Sequence, residues 1–276
     1  MAPIGDRIHE LNRVTGLFSA SIETYYVIIG SMKSGTTTLY NYLMQHPQIA
    51  RNRWMKEPGF FSSDDEWRKG MGYYSRQYFP TRSRTVGALD GSTNYAKYPS
   101  FPNVPERMSR CGANFKFIYM MRNPLDRIES QMAHSATHEG KTYGPDLTLD
   151  DIEHELDVSR YATQLDRYHE AFDDPQIHLV RFEEFKSDPV AVVQDAFRFL
   201  DVDPGFEIAV RAPDNVRRKD GSASSVRLPD ELKPAILDEL APELFRLQSF
   251  YDFPIAPWDL GLEFENVGGD DDRRYA

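Results

Sequence analysis

Tyr26-Val-Ile-Ile-Gly30-Ser-Met-Lys33-Ser-Gly35-Thr36-Thr37-Thr38-Leu39 is the stretch that decides the fold. Residues Thr24 to Gly30 are rich in Tyr, Val and Ile and read as a buried strand that ends at glycine. A helix is expected from about Thr36 to Gln45. There Leu39 pairs with Leu43 and Tyr40 with Met44 at i,i+4, and Pro47 lies just past the end. A hydrophobic strand that runs through a glycine turn into a helix aims several backbone N–H groups at one point, which makes an anion site. Lys33 adds a point charge there, and the hydroxyls of Ser34, Thr36, Thr37 and Thr38 add donors. The plainer account of the same residues is a tight strand-to-helix turn with threonine caps.

The nucleotide-kinase pattern G-x-x-x-x-G-K-[ST] fits only in part. Gly30 and Gly35 have the right separation, but Thr36 follows Gly35 and the lysine comes earlier, at Lys33. A kinase-type site would also end a second strand in a magnesium-binding Asp. The apolar run Phe115 to Met121 reads as that strand, and Arg122 follows it. Both departures predict an anion held by cations and N–H groups, with no metal required.

Outward from Arg122, a helix is expected to begin near Pro124, whose ring suits a first helical turn. Ser130 falls about two turns along it, roughly 140° from the apolar line of Leu125, Ile128 and Met132, so the core does not require its side chain. Taken alone, Arg122 reads equally as a strand-end cap and Ser130 as helix surface. Thr148 with Asp151 resembles a capping pair, and Leu149, Ile152 and Leu156 continue at helical spacing towards Phe172. Ile177 to Phe182 is a third strand. Asp188-Pro189 starts another helix, with Val190, Val193, Phe197 and Leu200 as its inner face. Residues 50–110 read as irregular, with one short strand, Thr85 to Asp90. Pro229 to Tyr251 reads as two short helices divided by Pro242. Strands alternating with amphipathic helices imply an α/β layered domain, a central, mainly parallel sheet flanked by helices. One domain is expected over residues 24–265, after a lead-in at 1–23 and before a disordered tail at 266–276.

The phosphate loop resembles the 5′-phosphosulfate loop of sulfotransferases that use 3′-phosphoadenosine 5′-phosphosulfate, PAPS. His46-Pro47 and Glu57-Pro58-Gly59-Phe60-Phe61 look more like the heparan-sulfate and glycan branch than the cytosolic phenol/steroid branch. The resemblance covers roughly residues 25–230. It implies that Arg122 and Ser130 grip the 3′-phosphate of PAPS, which suits the forked donors of arginine. It also implies that Glu57 is the general base, directly ahead of the paired phenylalanines, whose apolar neighbourhood is expected to desolvate it. An ion pair with Lys56 or Arg53 is the alternative role for Glu57, and Asp90 and His134 are the rival bases. Val86 to Tyr95 resembles a glycan-branch segment, with Gly91 where that branch often has a lysine. Arg217, Arg218 and Lys219 read either as a basic loop over the 3′-phosphate, with Arg218 as the single choice, or as a solvated charge run.

Composition bounds these readings. The chain has 276 residues, with 32 Lys plus Arg against 43 Asp plus Glu, a formal charge of −11. That balance argues against nucleic acid and anionic membranes as partners, leaving room for a local basic pocket. The single cysteine, Cys111, excludes an internal disulfide and a cysteine-based zinc cluster. Apolar runs such as Tyr25 to Ile29 are far short of the roughly 20 residues of a membrane span, and a cytoplasmic location is expected. The activity expected is sulfuryl transfer from PAPS to a hydroxyl or amine of a small-molecule or sugar-type acceptor, with PAP as product. A P-loop kinase and a non-catalytic nucleotide-binding protein are the alternatives. Neither the acceptor nor the oligomeric state is legible.

Overall fold

In a computed structural model that describes residues 22–79, 85–144, 146–210, 226–262 and 264, the apolar run at the head of the quoted stretch is strand β1, Thr24–Gly30. Helix α1 follows as Thr36–Leu43. It stops short of Gln45 because the last turn tightens ahead of Pro47, with Gln45 N–H bonded to the Tyr42 carbonyl and His46 N–H to that of Leu43. The stretch expected to be irregular is more ordered than its prolines suggest. It holds β2 (Ile49–Asn52), α2 (Asp64–Trp67), α3 (Met71–Arg76), β3 (Tyr78–Phe79), β4 (Gly87–Asp90), a 3₁₀ turn at Thr93–Ala96 and α4 (Val104–Arg110). Strands this short carry no readable alternation, and their pairing partners define them. Ile49, Ala50 and Arg51 lie in parallel register with Gly87, Ala88 and Leu89.

Strand β5, Asn114–Met121, leads into α5, Pro124–His138, whose N-cap Asn123 accepts from the N–H groups of Leu125 and Asp126. The Thr148–Asp151 pair forms as expected, Thr148 donating its N–H and hydroxyl to the Asp151 carboxylate. Helices α6 (Glu153–Ser159) and α7 (Tyr161–His169) follow, then β6 (Ile177–Arg181), α8 (Phe182–Ser187) and α9 (Pro189–Phe199). The inner face of α9 is Val193, Ala196 and Phe197, whereas Val190 in the first turn overhangs it and is 38% exposed. Helix α10, Leu232–Phe250, runs unbroken through Pro242, against the expectation of two helices. Pro242 and Asp238, whose carbonyl loses its partner, are both exposed. Water can therefore satisfy the freed carbonyl, while Ile236, Leu240, Leu244 and Leu247 keep one stripe in the core.

The six strands lie in the order β3-β2-β4-β1-β5-β6. All pairings are parallel except β2 with β3. Alternation along the central strands builds two cores. Tyr25, Val27 and Ile29 of β1 and Phe115, Phe117, Tyr119 and Met121 of β5 face α5, α6, α7 and α10. Tyr26, Ile28, Ile118 and Met120 face α1, α8 and α9. Helices thus cover both faces, as a parallel sheet requires. From β1 the chain crosses to β2 on one side, and from β5 to β6 on the other. The adjacent ends of β1 and β5 therefore form a topological switch point, where the loops part and leave a crevice. No helix among the described residues is long and apolar enough to cross a membrane. The Arg217–Lys219 cluster, with Arg218, and the tail at 266–276 lie outside the described residues.

Candidate active site

Beyond the C-terminal end of β1 the chain turns sharply. Lys33 has φ 72° and Gly35 φ 83°, both left-handed. A Cβ at Gly35 would come within 2.9 Å of the Phe182 ring, so glycine suits this position on two counts. No side chain caps the first turn of α1, which leaves the N–H groups of that turn turned outward for an anion. The Ser34 hydroxyl is fully buried and sits 2.6 Å from that of Ser31. Ser31 in turn donates its N–H and hydroxyl to the Met120 carbonyl on β5. Ser34 therefore ties the loop together internally, which is not the donor role expected of its hydroxyl. Burial pushes the Lys33 ammonium down to about 8, and the charge of Lys97 pushes the same way.

Arg122 leaves the end of β5 beside this loop. Its Nη1 donates to the Lys33 carbonyl at 3.3 Å, its Nη2 pairs with Asp126 at 3.2 Å, and its guanidinium lies 4.9 Å over the Phe182 ring. Its Nε is buried and has no partner among the described residues. The strand end itself is pinned. Tyr161 donates to the Arg122 carbonyl at 2.8 Å, and Asn123 donates its N–H to Glu183 and its side-chain amide to the Trp258 carbonyl. Ser130 is half-buried on α5, clear of the core as its helical angle predicted.

Glu57 faces the same crevice from the other side of β1. Its Oε2 accepts from the N–H and hydroxyl of Thr93, at 3.3 and 3.1 Å, beyond the end of β4. Its Oε1 accepts from Lys56 at 2.8 Å, so the ion pair held open in the sequence exists. The expected apolar surroundings do not. Phe60 and Phe61 are fully buried and pack against each other, Trp67 and Tyr74 in the core, whereas the Glu57 side chain is 41% exposed. Of the rival bases, Asp90 is fully buried and already accepts from Tyr74, Tyr95 and both donors of Ser92. Burial pushes its carboxyl up to about 6, but those donors enclose it. Burial and then the Lys33 charge hold His134 below the usual histidine range, and its ring lies 4.5 Å from that of His138.

Two further cations enter the crevice. Lys56 reaches the Thr36 and Thr37 hydroxyls at 3.4 and 3.2 Å. Its adjacency to Glu57 was visible in the sequence, but its reach onto α1 was not. Lys97, only 9% exposed, is held below the usual lysine range first by burial, with Glu57 drawing it the other way. No periodicity marked it, because it follows a single 3₁₀ turn. Tyr74, Tyr78 and Tyr95 are core residues, whereas Tyr98 is exposed. A separate cavity of about 970 Å³ is lined by Glu129, Tyr143, Leu147, Arg227, Leu228 and Lys233, among others. It draws on α5 next to Ser130 but on no residue of the phosphate loop.

Residues 23–217 match the family model described as the sulfotransferase domain. The chain is 28% identical over 203 residues to the bifunctional heparan sulfate N-deacetylase/N-sulfotransferase 4 of Mus musculus, covering 66% of this chain and 22% of that protein. It is 25% identical over 193 residues to heparan sulfate glucosamine 3-O-sulfotransferase 5 of Mus musculus, covering 64% of this chain and 53% of that protein. In neither does the match reach two thirds of the relative's length. A crystal structure of a sulfotransferase from Alicyclobacillus acidocaldarius superposes with a TM-score of 0.68 at 27% identity, over 87% of this chain and 100% of that one.

Proposed function

The chain belongs to the sulfotransferase family, and from that premise we propose that it moves the sulfuryl group of PAPS to a hydroxyl or amine of a small-molecule or sugar-type acceptor, releasing PAP. The observation that carries this reading is the meeting of the loop after β1 with Arg122 after β5. There a cationic, N–H-lined turn adjoins a guanidinium whose buried Nε has no partner among the described residues.

In this reading Lys33, Gly35, Thr36, Thr37 and Thr38 hold the 5′ end of the nucleotide, Ser34 braces the loop that presents them, and Arg122 with Ser130 holds the 3′-phosphate. PAPS supplies a sulfuryl group already activated by its link to phosphate. Lys33 and the loop N–H groups offset the charge that develops on the bridging oxygen. Glu57, fixed by Thr93, takes the proton of the attacking acceptor. Thermal-shift measurement with PAP, with ATP and with ATP plus magnesium tests the reading. PAP alone is expected to stabilise the protein by about 2.7 kcal/mol at a hundred times its dissociation constant. Stabilisation by ATP with magnesium and not by PAP would overturn the reading in favour of a kinase.

A further inference from the structure

Lys56 lies in an unusual place for a cation. Its Nζ sits against the hydroxyls of Thr36 and Thr37 in the first turn of α1, where the helix dipole disfavours positive charge. Glu57 compensates at 2.8 Å. The lysine side chain is only 17% exposed, against 41% for the carboxylate. Its backbone is clamped as well, since the Gly91 N–H donates to the Lys56 carbonyl at 3.0 Å. The side chain then passes directly over Gly91, where an added Cβ would come within 3.0 Å of both Cγ and Cε of Lys56. With no side chain of its own, Gly91 leaves room for this lysine stem beside the Tyr40 ring.

The position has a chemical meaning. In an in-line displacement the transferring group lies between the leaving oxygen, in the anion cradle at the start of α1, and the nucleophile, next to its base. Lys56 bridges those two places, from the Thr36 and Thr37 hydroxyls to Glu57. We propose that Lys56 is a further catalytic residue whose ammonium passes from Glu57 to the nonbridging oxygens of the sulfuryl group when PAPS binds. This assignment rests on the sulfotransferase reading above. The bond from sulfur to the bridging oxygen breaks, and its electron pair leaves with PAP. The acceptor oxygen or nitrogen bonds to sulfur, and the acceptor proton goes to Glu57, which Lys56 has released. Lys56 itself stays protonated and donates hydrogen bonds throughout.

PAPS and PAP differ only in the sulfuryl group, so their affinities isolate the contact without a known acceptor. In titration calorimetry on the full chain, Lys56→Met is expected to weaken PAPS about ten- to a hundredfold and PAP by no more than about threefold. Lys56→Arg is expected to recover most of the loss. Gly91→Ala keeps the charge but crowds the lysine stem and the Tyr40 ring beside it, and should show the same selective loss of PAPS. It decides the matter if Lys56→Met does not fold. Equal weakening of both nucleotides, or of neither, would overturn the role of Lys56 while the sulfotransferase reading stands. A parent protein that binds neither PAP nor PAPS would overturn that reading itself.

Discussion

The guanidinium of Arg122 donates to the backbone carbonyl of Lys33 at 3.3 Å, so the cation that ends β5 is stitched to the turn that ends β1. The two residues are neighbours because β1 and β5 pair in parallel, with Gly30 opposite Tyr119. The bond also places the Arg122 side chain before any ligand arrives. That lowers the entropy lost on binding, since the long side chain is already ordered.

Arg122→Ala is accordingly expected to cost PAP affinity more than fold. A charge-assisted fork to phosphate is worth about 1.5–3 kcal/mol, so the dissociation constant should rise roughly ten- to a hundredfold. The thermal midpoint of the free protein should move by only a few degrees. Calorimetric titration of folded parent and mutant decides the point, and equal affinities would return Arg122 to a purely structural role.

Glu57→Gln keeps the shape and the acceptor for Thr93 while removing the charge. Sulfuryl transfer should fall by a factor on the order of 10²–10⁴, with PAP affinity within a few-fold of the parent. Turnover close to parental would move the base to His134, because Asp90 is enclosed by Tyr74, Tyr95 and Ser92.

The Lys33 ammonium, lowered to about 8 by burial, makes PAP affinity pH-dependent. Below that value Lys33 is protonated and attracts the anion. Above it the free protein loses the charge, and affinity should fall by up to about tenfold per pH unit. Titrations at pH 7 and pH 9 should therefore differ in the parent and agree in Lys33→Met. A parent affinity that is the same at both pH values rules the effect out.

Gly35→Ala tests the turn itself. The left-handed φ of 83° costs an L-residue about 1–2 kcal/mol, and the new Cβ would meet the Phe182 ring at 2.9 Å. Denaturant unfolding should show a loss of at least that size, together with weaker PAP binding. Unchanged stability would mean that the turn relaxes without strain.

By itself the sequence determined the strand-turn-helix at Thr24–Leu43, the strand-to-helix step at Arg122 and the layered α/β class. Each of these is written in local terms, as a run of buried residues, a glycine turn or a proline at a helix start. It also paired Glu57 with Lys56 as an open alternative, because adjacency alone makes that contact available. Tertiary structure decided the rest. Strands β2 and β3 exist through their pairing partners, and α10 bridges Pro242 because its apolar stripe is held in the core. Phe60 and Phe61 turn inward to the aromatic core and leave Glu57 to solvent and Lys56. Lys97 is buried at the crevice after a single turn that no period announces. Above all, strand order sets β1 beside β5 and β4, which brings together residues far apart in the chain. Local pattern specifies elements, whereas a site assembled across strand ends depends on which strands pair, and that is a property of the whole sheet.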